Sequence, residues 1–151
     1  MILFAKLTAT FCGIGYFPVA PGTAATAAGI VLVFLLQGCG AAVYLGIVLA
    51  LFIAGVWAGD CLEKSLGKKD PGIVVIDEVV GIMIGLMGLP MGWPMVICGF
   101  FLFRALDMFK IYPINKFEAI PGGMGIMLDD VMAGVYTNIV LSIAARWAGI
   151  I

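Results

Sequence analysis

The stretch Gly122-Gly-Met-Gly-Ile-Met-Leu-Asp129-Asp130-Val-Met-Ala-Gly134 sets two adjacent carboxylates just inside the start of a long apolar segment. In a membrane helix each such charge costs about 2.5–3.5 kcal/mol on insertion scales, so something must compensate both. Three glycines stand upstream, where backbone N–H groups can meet an anion at a helix N-terminus. A cation between carboxylates would offset the buried negative charge. Consecutive helical side chains point about 100° apart, so one aspartate can enter a site while its neighbour supports it or ligates as well. The bland reading is that acidic residues favour a helix start. Apolar residues on both sides of the pair favour the functional one.

The composition agrees with a membrane setting. Of 151 residues, 64% are hydrophobic and 11% charged, and the mean hydropathy is +1.20. A soluble domain carries about twice that share of charge. A single integral membrane domain over 1–151 is the natural expectation. No basic patch or zinc-finger spacing points to nucleic acid. Cys12, Cys39, Cys61 and Cys98 are scattered and form no C-x-x-C pair, which argues against a disulfide framework. Histidine is absent, which excludes His-dependent zinc sites and Ser-His-Asp triads. Lys6 and Pro18 interrupt the early apolar residues, so no cleavable signal peptide is expected.

Working outward, Leu3, Phe4, Leu7 and Phe11 at helical spacing predict a short N-terminal interfacial helix. Residues 13–23 (GIGYFPVAPGT) form a Gly- and Pro-rich loop. Apolar segments then run over Ala24–Leu36, Ala41–Gly59, Ile73–Leu89, Met95–Phe109 and Met124 to about Ala148. The fold expected is an all-α polytopic membrane helix bundle with four to five spanning or near-spanning helices. Lys6, the loop holding Lys64 to Lys69 and the loop holding Lys110 to Lys116 fall on one side. The turns at 37–40 and 90–94 carry no charge. The positive-inside rule makes the charged side cytoplasmic. Every chemically interesting stretch (13–23, 60–78, 104–116 and 122–130) reaches that same side.

Asp77-Glu78, within Val74-Val-Ile-Asp-Glu-Val-Val-Gly81, repeats the paired-acid design. Two such pairs at one depth repel by several kcal/mol unless neutralised. Hard oxygen ligands without His or Cys point to Mg²⁺, with Mn²⁺ and Ca²⁺ as alternatives. Arg104, Asp107 and Lys110 sit at i, i+3 and i+6. They form either a phosphate-holding set, with Asp107 orienting the cations or ligating metal, or an intrahelical ion-pair ladder. Pro21-Gly22-Thr23 reads as a helix start capped by Thr23, or as donors to phosphate. Asp70-Pro-Gly72 is a turn signal. Cys98 to Arg104 fits C-x5-R, but the intervening Gly-Phe-Phe-Leu-Phe lacks the small polar residues of a phosphate-cradling loop.

Taken in order, Gly15-Tyr-Phe-Pro-Val-Ala-Pro-Gly-Thr23, Asp70-Pro-Gly with Val75-Ile-Asp-Glu-Val-Val-Gly81, Phe103-Arg-Ala-Leu-Asp-Met-Phe-Lys110 with Pro113-Ile, and the Gly122–Gly134 stretch resemble the phosphatidylglycerophosphatase A family of bacterial membrane phosphatases. The match runs from about residue 8 to 140. Ala25 and Ile111 depart from the family's usual Gly and Pro. The resemblance implies Mg²⁺-dependent hydrolysis of phosphatidylglycerophosphate to phosphatidylglycerol and phosphate at the cytoplasmic face of the inner membrane. It implies catalytic roles for Asp77, Glu78, Asp107, Asp129 and Asp130, with Asp77, Glu78, Asp129 and Asp130 on metal and Asp70 as a further candidate. Arg104, Lys110, Gly22, Thr23, Gly122 and Gly123 are then the expected phosphate contacts. The competing readings are an ion or anion transporter and a structural membrane subunit. The apolar segments hold no charged residues at mid-depth to make a path across the bilayer, which disfavours transport.

Overall fold

The computed structural model describes residues 1–112 and 114–149; Pro113 of the sequence motifs lies outside them. Among the described residues the ordered elements are all helical. They are α1 (Ile2–Ala9), a 3-10 turn (Ile14–Tyr16), α2 (Pro21–Leu35), α3 (Ala41–Leu66), α4 (Ile76–Gly85), α5 (Trp93–Phe109), α6 (Ile114–Glu118) and α7 (Gly123–Trp147).

Among the described residues, two helices have the length and apolarity to cross a bilayer. They are α3, with 26 residues, and α7, with 25, rising about 39 and 37 Å against a hydrocarbon core of about 30 Å. With 15, 10 and 17 residues, α2, α4 and α5 are shorter. The expectation of four to five spans therefore narrows to two helices that meet the requirement alone. Their outer faces are apolar: α3 exposes Val43, Leu45, Leu49, Ile53 and Trp57, and α7 exposes Ile139, Val140 and Ile143. Such a surface suits hydrocarbon rather than water, and the chain fits a membrane protein.

Several boundaries differ from the sequence expectation. Helix α3 continues past Gly59 to Leu66 and takes in Asp60, Glu63 and Lys64. Polarity rises there, but Glu, Lys and Leu remain good helix formers. The helix stops at Gly67, which adopts the left-handed conformation (φ 61°) that glycine tolerates. Helix α2 starts at Pro21, within the helix start expected at Pro21–Thr23, since proline's fixed φ suits a first helical position. Its N-cap is Ala20 at φ 50°, without a side-chain cap, so Thr23 is the third helical residue and not the cap. The loop before Gly122 contains the short helix α6. In α1 the buried face is made by Ala5 and Ala9, while Ile2, Leu3, Phe4 and Leu7 point outward.

Helix α4 is the central rod. Ile76, Asp77, Val79, Val80, Gly81, Ile82, Met83 and Gly85 are all buried, so nearly every face meets protein. It packs against α7, α2, α3 and α5. At its C-terminal end, carbonyls of the last turn and of the turn after it are met by side chains. Asn138 Nδ2 donates to the carbonyls of Ile84, Gly85 and Met87 at 3.2, 3.2 and 2.8 Å. The Tyr44 hydroxyl donates to Met83 O at 2.7 Å. Backbone groups away from water need such partners.

Helices α4 and α7 run parallel and cross where Gly81 faces Gly134: a Cβ on Gly134 would overlap the Gly81 carbonyl. A Cβ on Gly81 would lie 2.6 Å from the Phe103 ring and 2.7 Å from Asp130 O. The two backbones therefore touch, and this contact sets the geometry of the site.

Candidate active site

Asp77 lies four residues before Gly81, and Asp130 lies four before Gly134. Residues i and i+4 share a helix face. Where two parallel helices touch through their glycines, the acids one turn back on the same faces are brought together. Asp77, Glu78 and Asp130 each place a carboxylate oxygen within 4.8 Å of the others. Asp77 and Asp130 are 8% and 3% exposed, so water does little to screen them. At an effective dielectric of about 20, two unit charges at that separation repel by about 3–4 kcal/mol. The acids need a counter-charge.

The cations nearby supply part of it. Arg104 Nη1 is 3.6 Å from Glu78 Oε1 and is ion-paired with Asp107 one turn along α5. Asp107 also lies within electrostatic reach of Asp130. Lys110 Nζ is 2.9 Å from Asp129 Oδ2. Among the described residues, the carboxylates Asp77, Glu78, Asp107, Asp129 and Asp130 thus gather around Arg104 and Lys110. Glu78 Oε2 and Arg104 Nε are buried among the described residues without a hydrogen-bond partner. An all-oxygen donor set with excess negative charge and an unsatisfied carboxylate oxygen fits a hard divalent cation such as Mg²⁺. An unsatisfied guanidinium N–H beside it fits a phosphate oxygen.

In each acidic pair the first carboxylate accepts the second residue's amide: Glu78 N–H to Asp77 Oδ1 at 3.1 Å, and Asp130 N–H to Asp129 Oδ1 at 3.0 Å. The pairs otherwise differ. Both members of Asp77-Glu78 enter the cluster, whereas Asp130 enters it without Asp129, whose second oxygen is held by Lys110.

The other expected residues sort by distance. Gly22, at the start of α2, lies against the cluster: a Cβ there would overlap Glu78 Oε1 and sit 3.2 Å from Arg104 Nη1. Thr23 follows it, half-buried. Asp70 lies within electrostatic reach of Asp129. Gly122 and Gly123 belong to a different contact, about 10 Å up α7 from Asp130 at 1.5 Å per residue. Gly122 adopts φ 81°, and the Gly123 N–H donates to Asp60 Oδ1 at 2.7 Å. A Cβ on Gly123 would overlap Val56 O. These glycines serve a close α3–α7 approach, capped by Asp60, a residue the motifs do not include. The signal separating Asp130 from Asp129 was present in the sequence as an acid with glycine at i+4, shared by Asp77 and Asp130 alone within the two pairs.

Comparison with known proteins gives a consistent result. The family model for phosphatidylglycerophosphatase A matches residues 7–145. A Bacteroides thetaiotaomicron protein with the provisional name phosphatidylinositol-3-phosphatase is 41% identical over 150 residues, covering 93% of this chain and 92% of the relative. Phosphatidylglycerophosphatase A of Escherichia coli K12 is 38% identical over 144 residues, covering 93% and 84%. That of Haemophilus influenzae is 36% identical over 144 residues, covering 93% and 88%. No solved structure matches the chain.

Proposed function

Because this chain belongs to the phosphatidylglycerophosphatase A family and is a phosphatase, we propose that it hydrolyses phosphatidylglycerophosphate to phosphatidylglycerol and phosphate with Mg²⁺, at the cytoplasmic face of a bacterial inner membrane. One observation carries the reading: the Asp77–Glu78–Asp130 cluster beside Arg104, at the end of the bundle where the charged segments gather.

In this reading Asp77, Glu78 and Asp130 would hold the metal. Bound there, Mg²⁺ supplies positive charge at phosphate oxygens and makes water a better nucleophile at neutral pH. The protein's own groups do the rest. Arg104, held by Asp107, neutralises charge on the transferring phosphoryl group, and Lys110 adds a second positive charge. Gly22 leaves the space beside Glu78 and Arg104 that a side chain would fill. Acids one to two turns inside a helix lie near the level of lipid phosphates, so only the head group has to reach them while the acyl chains stay in the bilayer.

The relative named for a phosphoinositide makes phosphatidylinositol 3-phosphate the second substrate to test. Protein purified in detergent is given each lipid with Mg²⁺ and again with chelator. Phosphate release from phosphatidylglycerophosphate that stops with chelator is expected. Release from phosphatidylinositol 3-phosphate alone would move the substrate assignment to that lipid. No release from either, with ion flux in vesicles, would replace the phosphatase reading with transport.

A further inference from the structure

We infer that the adjacent aspartates divide the work: Asp130 faces the three-carboxylate cluster, while Asp129 is a positioning residue whose role is to hold the Lys110 ammonium in the site. The inference rests on the phosphatase reading above and assigns Asp129 a task separate from metal binding.

Both oxygens of Asp129 are already engaged. Oδ1 accepts the Asp130 amide at 3.0 Å and Oδ2 accepts from Lys110 Nζ at 2.9 Å. A cation at Asp129 would have to share an oxygen with one of these hydrogen bonds and compete with the Lys110 ammonium that already balances its charge, and Asp129 stands outside the group of acids that converge within 4.8 Å. Glu78, by contrast, keeps Oε2 buried without a hydrogen-bond partner, as a ligand awaiting its ion would. The helical offset agrees: only Asp130 has the crossing glycine at i+4 and therefore shares the α4-facing side of α7.

The backbone at Lys110 sets where that ammonium is launched from. Lys110 closes α5 in the left-handed conformation, at φ 43° and ψ 55°. That position favours glycine, because a Cβ crowds the following carbonyl. Lysine stands there against that preference, and its side chain reaches 19 positions along the chain to a buried carboxylate. Asp70, also at positive φ (46°), adds negative charge within electrostatic reach of Asp129, which keeps the surroundings favourable to an ammonium. Substrate phosphate arriving at the cluster then meets a lysine already oriented, without a long flexible side chain having to be ordered at the moment of binding.

The test uses full-length protein in detergent. The rise in melting temperature on Mg²⁺ titration without substrate reports metal binding, and phosphate release reports activity. Asp130→Asn is expected to raise the half-saturating Mg²⁺ at least about tenfold. Asp129→Asn and Lys110→Met are expected to keep it within about threefold of wild type while each lowers kcat/KM by about 10–100-fold. The double variant should be no worse than Lys110→Met alone, because the aspartate acts through the lysine. An Mg²⁺ midpoint for Asp129→Asn shifted as far as for Asp130→Asn would overturn the division, as would kinetic losses that multiply in the double variant. If Asp129→Asn does not fold, Asp129→Glu carries the same comparison, with an unmoved Mg²⁺ midpoint and impaired turnover supporting the inference and a moved midpoint overturning it. Failure of the substrate reading shows separately, as wild-type protein that releases no phosphate; the Mg²⁺ midpoints then still decide between the two aspartates.

Discussion

Glu78 is hemmed in on three sides, with Asp77 beside it in sequence, Arg104 across from it and the α2 backbone against its carboxylate. Gly22 makes that approach feasible. Gly22→Ala puts a methyl group where Glu78 Oε1 lies, and the carboxylate has to move. Since displacement of a reacting geometry by about 1 Å can lower rates about 100-fold, Gly22→Ala is expected to cut turnover by about 10–100-fold while the protein still purifies as a folded helical species. Steady-state phosphate release together with circular dichroism checks both halves. At this scale the sequence was a good guide to which residues come together. Asp77, Glu78, Arg104, Asp107 and Asp130 were all candidates, and the structure gathers them. It was a poor guide to how neighbours differ. Asp129 and Asp130 look alike in a string, and their separation depends on which side of α7 meets α4. That is a packing fact, visible beforehand only as a glycine four residues on.

The elements explain why those residues meet at all. Two parallel helices touching through Gly81 and Gly134 form the frame, and α4 is held at its far end by Asn138 and Tyr44. Gly134→Val is expected to lower stability by about 1–3 kcal/mol or more through overpacking and to abolish activity by parting Asp77 from Asp130. Gly46→Val, on α3 with nothing near its side-chain position, is the control and should leave activity unchanged. Asn138→Leu removes a donor shared by three carbonyls and is expected to destabilise by about 1–3 kcal/mol, seen as a lower melting temperature in detergent with the Mg²⁺ requirement retained. The apolar pattern located the helices but misplaced several ends, because hydropathy marks where the surroundings change and not where hydrogen bonding stops. Helix α3 runs on through Asp60 and Lys64 for that reason. Helix α4 is shorter than its apolar run because that run is apolar for burial in the bundle, with the turn after Gly85 included.

For the molecule as a whole, charge is the organising quantity: the residues of the acidic cluster, both of its cations and the Asp60 cap lie at one end, and uncharged turns lie at the other. The proposed orientation places the charged end in the cytoplasm. The native cysteines make this testable, since Cys12 and Cys39 are exposed and lie toward opposite ends. In single-cysteine variants, a membrane-impermeant maleimide applied to intact spheroplasts is expected to label Cys39 and to reach Cys12 only after permeabilisation; the reverse pattern would invert the assignment. The apolar composition made the membrane setting legible from the start, whereas the number of true crossings was not, because short helices that lean on longer neighbours are as apolar as those that span. The account's central claim is that the acids gathered by the α4–α7 crossing are the phosphatase site. Its most direct test is Mg²⁺-dependent phosphate release from phosphatidylglycerophosphate by wild type and Asp77→Asn, side by side in detergent, with matched helical content. A loss of about 100-fold or more in the variant is the predicted result; activity within about threefold of wild type would contradict it.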